Sequence, residues 1–454
     1  MAELPLPDEG VLLEHVVGQR WFGAKSRDVA HARILESLVL RKEPPGLILA
    51  LVEIAFHPGT HDLYQLPLGL RPDEGFEGGI DRRGGWAFYD ALEDPDLVRS
   101  LVALMADGRR VESERGTLEF GALDAPHGRD VRPLRVEQSN TSLVLDENLI
   151  FKVYRRLEAG INPELELLRF LTERGFANVP ALAGWYAYAG SPMDATLGVL
   201  QQFVRSESDG WDFALNSLAD DPERFLAQTG RLGEVTGSLH TALASDPADP
   251  SFAAEEPSAE ALGLLVASVD EEIEQLFSSL PETEALEPIA GRGEEVREQL
   301  RQISNVGPFG RVIRHHGDYH LGQVLWTGED WVVIDFEGEP ARALPERRRK
   351  RSPLRDVAGM LRSFAYAATA ATLTRGVEPP AGWEERARES FLEGYLGAVE
   401  PTLLPPGREA VERLLTVFEL EKAVYELRYE LDNRPDWVVI PVAGIVRLLG
   451  TAVA

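Results

Sequence analysis

The hydrophobic pattern changes character near residue 205, and that change restricts the fold more than any other feature of the chain. Before it, apolar residues come in short alternating or continuous runs bounded by Gly, Pro, Asp and Asn, the pattern of strands and hairpins. After it, they recur mostly at helical spacing over much longer stretches. Strands gathered in one part of a 454-residue chain and helices in another imply an α+β architecture of two or three domains.

The pattern predicts three parts: a small domain over 1–90, a strand-rich lobe over 91–205 and a helix-rich lobe over 206–454. In the first, Leu12–Val17 reads as a short helix. Ala32–Leu40 and Leu47–His57 read as strands around the turn-forming Glu43-Pro44-Pro45-Gly46. Asp90–Met105 follows with helical period. In the second part, Arg135–Glu137, Ser142–Leu145, Leu149–Tyr154 and Thr196–Val204 read as strands, with Asp146-Glu147-Asn148 as a turn. Asn162, Pro163 and Glu164 have the chemistry of an N-cap, an N1 proline and a first-turn acid, so a helix runs from there to about Arg174. In the third, helices are expected over Ala214–Ala244, Ala259–Leu280, Leu354–Thr372, Trp383–Val399 and Arg408–Asn433. Short strands are expected at Arg311–His316 and Trp331–Phe336. No internal repeat is visible.

Charge and composition remove several function classes. Lys and Arg total 46 against 75 Asp and Glu, a net charge of −29. Such a surface repels phosphate backbones and anionic membranes, so neither nucleic acid nor a membrane is an expected partner. A strongly anionic substrate needs a local basic pocket or a bridging metal ion. Cysteine is absent, which excludes disulfides, thiolate metal sites and a cysteine nucleophile. The first residues lack a basic region and an apolar core, and no run approaches the ~20 apolar residues of a membrane span. The expectation is a soluble cytoplasmic protein.

The densest cluster of reactive side chains is His315-His316-Gly317-Asp318-Tyr319-His320-Leu321-Gly322-Gln323, followed by Val332-Val333-Ile334-Asp335-Phe336-Glu337. A loop carboxylate (Asp318), an amide five residues on (Gln323) and a carboxylate closing an apolar strand (Asp335) have the spacing of phosphoryl transfer to a hydroxyl. One acid accepts the hydroxyl proton, while the amide and the second acid hold Mg²⁺ against the phosphates. The metal supplies positive charge that this acidic chain lacks. Two other readings stand beside it: Asp318 capping a turn with His320 satisfying backbone, and a zinc site built on His316, Asp318 and His320, which would support a hydrolase.

Upstream, Gln138-Ser139-Asn140-Thr141-Ser142 lies between two expected strands, where small polar residues can present N–H groups and hydroxyls to phosphates. Lys152 then interrupts an apolar strand. A buried ammonium needs a partner, and Glu166, in the first turns of the next helix, is placed to be one; Glu164 competes. Such a pair positions the α- and β-phosphates in kinase-type sites. The alternative is an edge-strand lysine reaching water. The strand ending at Val204 leads into a linker where backbone groups of Gln202 and Val204 can face an adenine. Near the C-terminus, Tyr425, Glu426, Tyr429, Glu430, Arg434 and Trp437 combine carboxylates with aromatic platforms, as a polyhydroxylated sugar requires; a solvated helix face is the alternative. The basic run Arg347–Arg351 reads as a loop flanking an anionic site or a solvated loop.

Together these segments resemble bacterial maltokinases, of the aminoglycoside-phosphotransferase branch of the protein-kinase-like fold. The resemblance rests on Gln19-Arg20-Trp21-Phe22-Gly23-Ala24-Lys25-Ser26-Arg27, Gln138–Ser142, His316–Gln323 and Ile334–Pro340. It extends through Ser352–Phe364 and Asn433-Arg434-Pro435-Asp436-Trp437. It implies a bilobal kinase-like body behind an N-terminal cap domain, with ATP between the lobes. It further implies phosphorylation of maltose at the anomeric hydroxyl to maltose 1-phosphate, which feeds α-glucan synthesis from trehalose, and a trehalose synthase as a partner. By position it makes Asp318 the catalytic base, Gln323 and Asp335 the Mg²⁺ ligands, with Glu337 a possible second ligand. Lys152 and Glu166 become the phosphate-positioning pair, and His320, Tyr425, Glu430, Arg434 and Trp437 the sugar site. Glucosamine kinases share the architecture, so an aminosugar is the alternative acceptor, with Glu426, Glu430 or Asp432 to meet its amine. A non-catalytic nucleotide-binding regulator is a further alternative.

Overall fold

The computed structural model describes residues 4–134, 139–303 and 309–450. The expected strand Arg135–Glu137, together with Gln138, lies outside them. The chain divides into two compact units: Met1–Thr172 with Pro180–Val204, and Glu173–Val179 with Arg205–Ala454. Helices and strands both contribute, as the sequence pattern requires.

The first unit begins with the helix Glu9–Gly18, capped by the Asp8 carboxylate, which accepts from the N–H groups of Gly10 and Val11. An antiparallel sheet follows, in the spatial order Val29–Arg41, Gly46–Phe56, Thr60–Pro72, Trp86–Asp90, Asp81–Arg83; Arg156–Leu157 also pairs with Thr60–Pro72. The strand Thr60–Pro72 is absent from the sequence reading because Pro67, Gly69 and its polar start hide it. A second sheet runs Arg110–Glu112, Gly116–Ala122, Leu182–Gly190, Ala195–Gln202, Leu149–Val153, Thr141–Leu145, Val131–Leu134. Leu49 and Leu51 of the first sheet, Leu97 and Leu101 of the helix Pro95–Ala106, and Leu143 and Phe151 of the second sheet belong to one buried cluster. The segments on either side of residue 90 therefore share a core.

The second unit carries the helices Gly210–Asp220, Pro222–Leu243, Ala259–Ser278, Gly293–Ile303, Leu354–Arg375, Trp383–Ala398, Arg408–Asn433 and Val439–Gly450. The long helix expected over Ala214–Ala244 is two, because Asp221 caps a new helix that opens on Pro222. The expected strand Arg311–His316 reduces to isolated bridges, Val312 to Glu255 and Ile313 to Arg351. The chain then turns at Gly317 with φ +87°, a conformation open to glycine. The strand expected over Trp331–Phe336 ends at Val333; Ile334 N–H donates to the Gln323 carbonyl at 3.0 Å, and Asp335 takes φ +63°. Val324–Trp326 and Trp331–Val333 form a small sheet with Ser208–Asp209. No helix among the described residues is long and apolar enough to cross a membrane.

Candidate active site

In the first unit, Lys152 sits in a central strand, opposite Ser142 on one side and Val199 on the other. An edge position is therefore excluded. The side chain is buried, and its Nζ lies 3.1 Å from Glu164 Oε2, which also accepts from Tyr154 Oη at 2.8 Å. The partner in this pair is Glu164 rather than the expected Glu166. The reason is local: the Asn162 side chain accepts from Glu164 N–H at 2.8 Å, so the cap fixes Glu164 at the buried first turn, while Glu166 is half-buried farther along.

Thr141 and Ser142 begin the strand beside Lys152, and Ser139 and Asn140 form the bend that precedes it. Arg155 Nε donates to Thr141 Oγ1 at 2.8 Å. At the far end of the sheet, Gln202 N–H donates to the Ala181 carbonyl at 2.9 Å and is thereby occupied. Val204 lies just beyond, half-buried, at the end of the first unit.

In the second unit the reactive loop is pinned by a buried carboxylate. Asp356, in the first turn of Leu354–Arg375, accepts from His316 N–H at 2.7 Å and Gly317 N–H at 3.0 Å. His240 Nε2 lies 3.1 Å from the same carboxylate, and Tyr395 Oη 3.1 Å from His240 Nδ1. Although burial opposes its charge, the neighbouring histidines hold Asp356 well below the usual carboxylate range. The helix can approach the loop this closely because residue 359 is glycine: a Cβ there would lie 2.5 Å from the Tyr319 carbonyl oxygen.

His316 uses both ring nitrogens. Nε2 donates to the Ile334 carbonyl at 2.9 Å, and Nδ1 accepts from Asp318 N–H at 3.3 Å. It ties the loop to the strand end and has no nitrogen left for zinc. Among the described residues His316, Asp318 and His320 do not form a metal-binding cluster. Asp318 is left partly exposed, with His320 Nε2 3.8 Å away; His320 Nδ1 accepts from Gly322 N–H. Gln323 Nε2 donates to Asp335 Oδ2 at 3.0 Å. Oxygens of Asp335 and Glu337 lie within 4.8 Å of each other. Carboxylates with an adjacent amide form a hard-oxygen set that suits Mg²⁺.

Asp318 opens onto a cavity of about 340 Å³, lined also by Glu339, Arg342, Lys422, Tyr425 and Arg428. Burial works against the charge of Glu339, but its contact with Arg342 at 2.6 Å outweighs this and keeps it ionised. Burial, together with Glu339 and Asp318, pushes the Tyr425 hydroxyl up to about 12, so it remains a donor. A second cavity, of about 510 Å³, shares Glu272, Tyr425 and Arg428 with the first and continues to Gln275, Ser279 and Asp432.

Of the expected sugar residues, Tyr425 alone lines these cavities; His320, turned toward Gly322 N–H, lines neither. Glu426, Glu430, Arg434 and Trp437 line neither. Glu426 is buried against Arg362 at 2.7 Å, and Glu430 accepts from Arg434 at 2.6 Å and Tyr366 at 3.2 Å. Arg434 lies over the rings of Tyr429 and Trp437. Sequence reasoning assigned no role to Asp356, Glu339, Glu272 or Lys422; the acid beside the helix start at 354 was the one available signal. In the basic run, Lys350 Nζ donates to the carbonyls of Pro250 and Ala253 and pairs with Glu255, which makes it a latch on the 245–258 loop.

Residues 130–387 match the phosphotransferase enzyme family, and residues 15–94 match the maltokinase N-terminal cap domain. A glucosamine kinase of Streptacidiphilus jiangxiensis is 27% identical over 335 residues, spanning 70% of this chain and 73% of the relative. A glucosamine kinase of Mycolicibacterium smegmatis is 27% identical over 332 residues, spanning 71% of this chain and 80% of the relative. Among solved structures, a glucosamine kinase in complex with glucosamine, ADP and inorganic phosphate superposes with a TM-score of 0.72 at 21% identity. That match covers 96% of this chain and 98% of the other.

Proposed function

The chain belongs to the phosphotransferase enzyme family, and from that premise we propose that it is an ATP-dependent sugar kinase whose acceptor is maltose, phosphorylated at the anomeric hydroxyl. The acceptor oxygen attacks the γ-phosphorus as the bond to the β-phosphate oxygen breaks, and ADP leaves. Asp318 takes the acceptor proton. Lys152, oriented by Glu164, holds the α- and β-phosphates, and the hairpin 139–142 supplies N–H groups and hydroxyls to them. The Gln202 carbonyl and the Val204 backbone groups take the adenine, since the Gln202 N–H is already committed to Ala181. Asp335 and Gln323, with Glu337 in reach, would hold Mg²⁺, which neutralises phosphate charge when bound. Maltose 1-phosphate fits a role in α-glucan synthesis from trehalose, with a trehalose synthase as the partner that delivers maltose.

The observation that carries the phosphotransfer reading is the grouping of Asp318 and of the contacting Gln323 and Asp335 on one loop system fixed by Asp356. Maltose is favoured because the cavity at Asp318 continues into a second one across Tyr425 and Arg428, which gives room for a second ring. A second reading, glucosamine, is favoured by the relatives and by Glu272. This carboxylate lines both cavities and makes no salt bridge or hydrogen bond among the described residues; burial, with Glu421 nearby, raises its pKa, and an ammonium would relieve that. Ser279→Trp separates the two. It fills the second cavity, so it should raise KM for maltose by about tenfold or more, while glucosamine, confined to the first cavity, keeps its KM. Equal KM values for maltose in the variant and the parent would remove the maltose reading.

A further inference from the structure

The environment of Arg155 has a feature that stability alone does not require. Arg155 is 2% exposed, in the segment between Lys152 and the strand Arg156–Leu157. One guanidinium nitrogen pairs with Asp90, itself buried at the end of the strand Trp86–Asp90. The Trp21 ring covers the guanidinium, with its centroid 5.1 Å from Cζ. The backbone is held as well: Gln65 N–H donates to the Arg155 carbonyl at 2.9 Å, and the Gln65 side chain donates to the Tyr154 carbonyl at 2.8 Å. Trp21, Gln65 and Asp90 all belong to the cap-domain segment 15–94. The remaining bond runs sideways: Nε donates to Thr141 Oγ1 at 2.8 Å, at the first residue of the strand that follows the bend at 139–140.

We propose that Arg155 is a positioning residue for the nucleotide, set by Asp90 and Trp21 of the cap domain, and that it acts by fixing the Thr141 hydroxyl at the base of the phosphate hairpin. The inference rests on the reading that residues 139–142 face the phosphates. At 2% exposure Arg155 does not touch a nucleotide itself. The fork of a guanidinium can grip Asp90 and Thr141 in one plane, whereas an ammonium offers no planar fork and cannot span both in the same way. An ion pair kept only for stability would need Asp90 alone. The additional bond converts the cap's hold on Arg155 into a fixed side-chain direction at the hairpin, and so into the geometry of ATP rather than of sugar.

The test is a double-substitution cycle in the full chain, with KM for ATP and for the sugar measured separately. Arg155→Lys should raise KM for ATP about tenfold and leave KM for the sugar within about twofold. Thr141→Val should do the same, Thr141→Ser should restore the parent value, and the double substitution Arg155→Lys/Thr141→Val should be no worse than the poorer single one. Effects that multiply in the double variant, or a lower melting temperature with KM for ATP unchanged, would overturn the proposal. Should Arg155→Lys not fold, the Ser and Val variants at 141 still decide, since both leave the Arg155–Asp90 pair in place; equal KM values for the two would refute it. Calorimetry with Mg·ADP separates this inference from the one beneath it. A parent protein that binds no Mg·ADP removes both, whereas a parent that binds it, with Arg155→Lys binding equally tightly, removes this one alone.

Discussion

The two units build reactive geometry in opposite ways. In the first, Lys152 is placed by a regular sheet: its register against Ser142 and Val199 sets its depth, and one buried acid, Glu164, orients it. In the second, Asp318 and Asp335 sit on irregular backbone, with Gly317 and Asp335 both at positive φ, and buried polar groups on other elements do the holding. A ladder of main-chain bonds positions a side chain through many small contributions. A loop pinned by Asp356 and His316 depends on a few bonds, each costly to lose.

The largest effect expected from this contrast is at the reacting group. Asp318→Asn removes the proposed proton acceptor and should lower kcat by about 10²- to 10⁴-fold, while leaving Mg·ADP affinity within a few-fold. Turnover near the parent rate would break the mechanism.

Next comes the loop's anchor. Asp356→Ala leaves His316 N–H, Gly317 N–H and His240 without their acceptor at a buried position. A loss of about 3–5 kcal/mol in denaturant unfolding is expected, with activity falling alongside it. A fully stable but inactive variant would mean that Asp356 acts in chemistry rather than in holding the loop.

In the sheet-borne half, Glu164→Gln should raise KM for ATP about tenfold, and Glu166→Gln should do less. The reverse order would restore the pairing that sequence reasoning preferred and break the contrast at its first member.

The effect that is smallest at neutral pH, and grows only on acidification, comes from a buried histidine. Burial lowers the pKa of His315 to about 3, so the folded protein keeps it neutral while the unfolded chain protonates it near 6.5. The unfolded state then binds more protons, and stability falls as pH drops below about 6.5, by at most about 1.4 kcal/mol per pH unit from this group. Asp356, whose pKa is depressed, adds its own loss only at pH values below the ordinary carboxylate range. His315→Asn should flatten the stability profile between pH 6.5 and 4. An unchanged slope would show that His315 is protonated in the folded state.

What could be read from the sequence follows the same division. The strand containing Lys152, the Asn162 cap and the long helices were legible because local pattern and chemistry agree there. The spacing of Asp318, Gln323 and Asp335 was legible because the loop is short in sequence. The choice of Glu164 over Glu166 was not, since both face the first turns and only the cap geometry separates them. Nor was the placement of Glu426 and Glu430. Their neighbours Arg362 and Tyr366 lie 64 residues away in sequence, on a different helix, and turn apparent sugar ligands into buried pairs. Composition near a motif identifies polar side chains; only the packing of Leu354–Arg375 against Arg408–Asn433 says which of them face the cavity.

The most direct test is a coupled ADP-release assay with Mg·ATP against maltose, glucosamine, glucose and no sugar. Turnover with maltose, abolished in Asp318→Asn, is the predicted result. Turnover with none of the three sugars, in a protein that binds Mg·ADP, would contradict the sugar-kinase account.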